Sequence, residues 1–103
     1  MAFMTLASLG ELPEGGQLRV DLEDRTLLLV HLDGTVYAID YHCTHDELGL
    51  EGGDLHNGCI TCPYHGAEFR LSDGEVLAPP AWEPLQTYTV TVSEQLIQVD
   101  IPQ

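Results

Sequence analysis

The 103-residue chain contains no lysine. Its three basic residues, Arg19, Arg25 and Arg70, face 17 acids, for a formal charge of −14 at pH 7. Affinity for nucleic acid comes largely from Lys and Arg neutralising phosphates. Attraction to anionic membrane surfaces uses the same charges. Neither is an expected partner. The balance suits a protein that meets a basic patch through electrostatic steering. Acidity serving solubility alone is the plainer account, and composition does not separate the two. No apolar run approaches the ~20 residues of a transmembrane helix. The start, Met1-Ala2-Phe3-Met4-Thr5-Leu6, lacks a basic region and a long apolar stretch, so it does not read as a signal peptide. Three cysteines are an odd count, which suits a reducing compartment or a metal site better than a disulfide scaffold. The expected location is the cytoplasm. There is no G-x-G-x-x-G for a dinucleotide, and the length allows one small domain, 1–103.

What is present reads as all-β. Leu18-Arg19-Val20-Asp21-Leu22 alternates as a half-buried strand does. A Leu/Val-rich run from Thr26 to Leu32 and a second run, Thr35 to Ile39, flank Asp33-Gly34, a strong hairpin signal. Asp73-Gly74 separates Phe69-Arg70-Leu71 from Val76-Leu77. Tyr88 to Val92, a polar Ser93-Glu94-Gln95 turn, and Leu96 to Ile101 make a closing hairpin. Residues 7–12 read as one helical turn before Pro13. Residues 42–68 differ: they hold all three cysteines, four of the five histidines and five glycines, and read as a strand-poor loop region inserted between β segments. Loops on a rigid scaffold are where function tends to sit.

That region carries C-x-H at Cys43-Thr44-His45, sixteen residues, and then C-x-x-H within Cys62-Pro63-Tyr64-His65-Gly66. Each loop offers one thiolate and one imidazole. Two sulfurs and two neutral nitrogens satisfy either a tetrahedral zinc ion or an iron–sulfur cluster with unlike ends. The order is not the usual zinc order, and a C-x-H turn is tight for wrapping one ion.

At these residues the chain resembles the Rieske iron–sulfur proteins. Gly34-Thr35-Val36-Tyr37-Ala38 fits the strand before the first ligand loop. Gly74-Glu75-Val76-Leu77 and Pro79-Pro80 fit the hairpin and the covering proline loop. The resemblance implies a Rieske-type fold of small antiparallel sheets, a cluster-binding subdomain at about 42–68, and a covering loop at about 78–81. It implies one [2Fe-2S] cluster, with Cys43 and Cys62 on one iron and His45 and His65 on the other. Two ferric ions, two sulfides and two thiolates then sum to zero charge, against −2 for four cysteines. Reduction of the neutral centre costs less, which is why Rieske potentials lie above those of four-cysteine ferredoxins.

High-potential members carry a further cysteine in each ligand loop, and these pair as a disulfide. Leu48 and Tyr64 stand at those positions. The serine and tyrosine that donate hydrogen bonds near the sulfurs in those members correspond to Ala67 and Phe69, which cannot donate. Fewer hydrogen bonds to sulfur stabilise the reduced state less. Rieske centres in general run from about −150 mV to about +300 mV, and these absences point to the low end.

The other candidates have plainer readings. Cys59 makes a second C-x-x-C with Cys62, but Cys59-Ile60-Thr61 looks like a strand on which positions 59 and 62 face opposite sides. Cys59 is expected as a small buried hydrophobe. His42 and His56 read as loop surface, His31 as a structural or surface histidine, Trp82 as packing, and Tyr64 as a shield for the cluster. The chain lacks the length for a domain with a 2-His-1-carboxylate iron, so it resembles neither an oxygenase subunit nor a reductase. It resembles the soluble ferredoxins of ring-hydroxylating dioxygenases. The implied function is non-enzymatic: one-electron transfer from a flavin-dependent NAD(P)H reductase to a terminal oxygenase, through transient docking on basic patches. Two alternatives are a small Rieske-type subunit of an assimilatory nitrite reductase, and a structural zinc module.

Overall fold

The computed structural model describes residues 2–43, 49–64, 66–79 and 83–102. These form three antiparallel sheets and one 3-10 turn, Leu9–Glu11. The first sheet joins β1 (Ala2–Ser8), β11 (Leu96–Ile101) and β10 (Val90–Ser93), in that spatial order. The second has the order β2 (Gln17–Asp21), β3 (Thr26–Leu32), β4 (Thr35–Asp40), β9 (Thr87–Tyr88). The third runs β5 (Asp54–His56), β6 (Cys59–Thr61), β7 (Glu68–Arg70), β8 (Val76–Ala78).

The second sheet is the middle layer. Leu28, Val30 and Ile39 pack on one side, in a cluster with Ile60, Phe69 and Leu71 of the third sheet. Leu27, Leu29, Val36 and Ala38 pack on the other, with Ile97, Val99 and Ile101 of the first. This explains why Thr26–Leu32 is apolar without alternation: Leu27 to Val30 are all fully buried because both faces of β3 are covered.

The hairpin turns follow local chemistry. A two-residue turn matching strand twist needs positive φ at both positions. Asp33 and Gly34 adopt φ of 53° and 79°, and Glu94 and Gln95 adopt 52° and 69°. Asn57-Gly58 does the same between β5 and β6, at 49° and 75°. Its dipeptide carries the same signal as Asp33-Gly34.

One expectation is corrected and one is narrowed. Residues 42–68 are not strand-poor: β5, β6 and the start of β7 lie within them. The helical turn expected within residues 7–12 is present as the 3-10 turn Leu9–Glu11, and it is shorter than that span because Ala7 and Ser8 end β1 by pairing with Ile97 and Leu96. The 3-10 turn begins at Leu9, where the Glu11 carboxylate accepts hydrogen bonds from the Ser8 amide at 2.9 Å and hydroxyl at 3.1 Å.

Candidate metal centre

Each candidate ligand loop leaves a pinned strand end. The first follows β4. The Tyr41 amide donates to the Thr26 carbonyl at 3.0 Å, His42 bridges to Gly49, and the Leu50 amide donates to the Tyr41 carbonyl at 2.8 Å. Residues 41–42 and 49–50 are thus tied together on either side of Cys43. The second follows β6. The Cys62 amide donates to the Ala67 carbonyl at 2.7 Å, and the Gly66 amide to the Cys62 carbonyl at 3.1 Å, which closes a tight turn after Cys62.

Both cysteines point into the same place. Cys43 and Cys62 are each 2% exposed and belong to the cluster that holds Leu50, Ile60, Ala67 and Phe69. Alternation along β6 explains this: Ile60 and Cys62 enter the cluster, while Cys59 does not. None of the three cysteines is in a disulfide. An open cleft of about 370 Å³ lies against Cys62, lined also by Gly52, Asp54, Thr61, Pro63 and Gly66. His45 and His65 lie outside the described residues, as do Leu48, Pro80 and Trp82. Among the described residues no three His, Cys, Asp or Glu side chains gather as a metal site. Two buried thiol side chains in one apolar cluster fit the sulfur half of the donor set.

Ala67 and Phe69 are fully buried in that cluster, and their side chains carry no hydrogen-bond donor. Cys59 is 6% exposed, and its Sγ donates to the Asn57 carbonyl at 3.5 Å. Burial, with the Glu68 carboxylate second, pushes its thiol up in pKa. A protonated thiol is inert, as expected of a packing residue. His31 is structural: its Nδ1 lies 2.8 Å from the Leu12 carbonyl oxygen. His42 and His56 are exposed, and His56 lies 3.5 Å from the Glu68 carboxylate. Tyr64 is 58% exposed.

The surface remains negative where it has arginines. Arg19 pairs with Asp21 at 3.0 Å, Arg25 with Asp24 at 3.3 Å, and Arg70 with Asp73 at 2.8 Å and with Glu75. Each positive charge is neutralised locally. No helix among the described residues is long and apolar enough to cross a membrane.

Residues 2–89 match the Rieske [2Fe-2S] domain family. The chain belongs to that family. This Rieske domain carries one [2Fe-2S] cluster, and it is an electron carrier rather than an enzyme in its own right. The zinc module left open by the donor set falls away. The 3-phenylpropionate/cinnamic acid dioxygenase ferredoxin subunit of Photorhabdus laumondii is 34% identical over 98% of this chain and 96% of its own length. The Sphingomonas yanoikuyae B1 ferredoxin superposes with a TM-score of 0.90 at 29% identity, covering 98% of this chain and all of that one. A chain in the complex of reduced oxygenase and oxidized ferredoxin of carbazole 1,9a-dioxygenase superposes with a TM-score of 0.87 at 26% identity, over 94% of this chain and 91% of that one.

Among features that the sequence reading passed over, Leu50 and Leu85 matter most. Both are buried in the cluster with the cysteines. The available signal was an apolar residue inside each polar, Gly- or Pro-rich segment.

Proposed function

We propose that Cys43, His45, Cys62 and His65 hold the cluster. On this reading the domain passes single electrons from a flavin-dependent NAD(P)H reductase to the terminal oxygenase of a ring-hydroxylating system in the cytoplasm. The cluster supplies the one-electron chemistry. The chain's part is to bury the sulfur side, exclude water from it, and present an acidic surface to basic docking patches. The observation that carries this reading is the convergence of Cys43 and Cys62, from two pinned loops, in one apolar cluster. Near full-length similarity to a ferredoxin subunit supports the partner class. Residues 42–68 would form the cluster-binding part of the single domain 1–103, and 78–81 its cover.

An EPR-monitored redox titration tests it. The expected result is a reduced-state signal of mixed His/Cys ligation with a midpoint well below zero. The same signal at a strongly positive midpoint would overturn the low-potential reading. A purified protein with iron and sulfide but no such signal would overturn the ligand set.

A further inference from the structure

We propose that Gln17 is a positioning residue for the cluster, its side-chain amide clamping the 50–53 turn that leads from the first ligand loop into β5. The proposal rests on the ligand assignment above. Gln17 opens β2, the edge strand of the middle sheet. Its Nε2 donates to the Gly53 carbonyl at 2.9 Å, and its Oε1 accepts from the Gly52 amide at 2.8 Å. The two partners have opposite polarity, so the amide, with its donor and acceptor on separate atoms, matches both, whereas a carboxylate only accepts. They lie 35 and 36 residues along the chain.

From Gly53 the clamp leads to both cysteines. Toward the first, the Gly53 amide donates to the Leu50 carbonyl at 3.0 Å, and Leu50 is bonded to Tyr41 on the other side of Cys43. Toward the second, Gly53 is buried so tightly on β6 that a Cβ there would collide with the Thr61 carbonyl oxygen. Thr61 precedes Cys62, and Gly52, Thr61 and Cys62 line one cleft.

A second contact from the same face of β2 supports the first. Two residues on, the Arg19 guanidinium stacks 4.5 Å from the centre of the Tyr41 ring. That ring fills the space a Cβ on Gly49 would take. The apolar cluster between the middle and third sheets is non-directional and sets no fine register. The paired amide bonds are directional, and they fix where the 50–53 turn sits.

The test compares the cluster-loaded wild type with Gln17→Ala and Gln17→Glu. Gln98→Ala, on the far sheet, is the control. Three readouts are followed: decay of the cluster's visible absorption in a ferrous chelator, the reduced-state EPR spectrum, and hydrogen exchange at the Gly52 amide. Gln17→Ala is expected to shorten the cluster's half-life about tenfold, broaden the EPR spectrum and speed Gly52 exchange. Gln17→Glu, which keeps the acceptor but not the donor, falls between. Should Gln17→Ala fail to fold, Gln17→Glu carries the comparison. Faster Gly52 exchange with wild-type half-life and EPR spectrum would overturn the proposal and leave Gln17 as a fold contact. A parallel Cys62→Ser variant separates the two levels. An unaltered cluster in it would defeat the ligand assignment, and with it the proposal. Loss or alteration there, with Gln17→Ala unaffected, would defeat the proposal alone.

Discussion

The Tyr88 hydroxyl donates a 2.6 Å hydrogen bond to the Asp40 carboxylate, tying β9 to the end of β4 three residues before Cys43. Arg25 donates to the same hydroxyl at 3.3 Å. Tyr88→Phe removes both bonds, with an expected cost of about 1–2 kcal/mol. For a domain of this size that lowers Tm by about 4–8 °C per kcal/mol, which calorimetry will show.

The same tyrosine makes a prediction at high pH. Burial, then the hydrogen bond to Asp40, pushes the phenol from 10.0 up to about 12. A folded-state value above the unfolded one favours the folded state while the phenol is protonated. That contribution is complete below pH 10.0 and is lost as pH rises to about 12. The Tm difference between wild type and Tyr88→Phe should shrink across this window. A constant difference would contradict it.

Glu14 predicts the opposite limb. Its carboxylate accepts hydrogen bonds from the Gly34 amide at 2.8 Å and the Asp33 amide at 2.6 Å, capping the β3–β4 turn. These bonds, Gly34 first, hold its pKa below 4.5, with His31 adding a smaller pull. A depressed folded-state value stabilises above the unfolded pKa and is lost as pH falls through the folded one. Denaturant midpoints of wild type and Glu14→Gln should differ at neutral pH and converge below 4.5.

Ala67 is fully buried in the cluster with Cys43 and Cys62 and offers no hydroxyl. Ala67→Ser adds one donor and should raise the reduction potential by roughly 60 mV, the worth of one hydrogen bond to a charged group. Voltammetry of the two proteins checks this. A fall, with the hydroxyl in place, would reverse the argument.

Charge governs the last prediction. With −14 overall and each arginine paired to an acid, the surface repels anions and attracts cations. Oxidation of the reduced protein by a cationic cobalt(III) complex should slow as salt rises, and oxidation by ferricyanide should quicken. Most of the change should fall below about 0.1 M, where the Debye length shortens to about 10 Å. Stopped-flow traces that ignore salt would remove steering from the account.

The sequence by itself determined what depends on neighbours in the chain. Thr26–Leu32 and Leu96–Ile101 are legible to the residue, because pattern and turn chemistry are local. The C-x-H and C-x-x-H pairs are local too, since each is a spacing within a few residues of chain. The opposite facing of Cys59 and Cys62 follows from strand period alone. Only the tertiary structure decided what depends on which surfaces meet. The β1–β11 pairing joins Ala2 to Ile101, and no local pattern announces it. The apolar run of β3 became a strand covered on both faces once two sheets closed on it. Gln17 reaches Gly52 and Gly53, and Tyr88 reaches Asp40, across 35 to 48 residues. A polar side chain's partner is set by the packing of apolar layers around it. Those layers bury their faces wherever the whole chain allows.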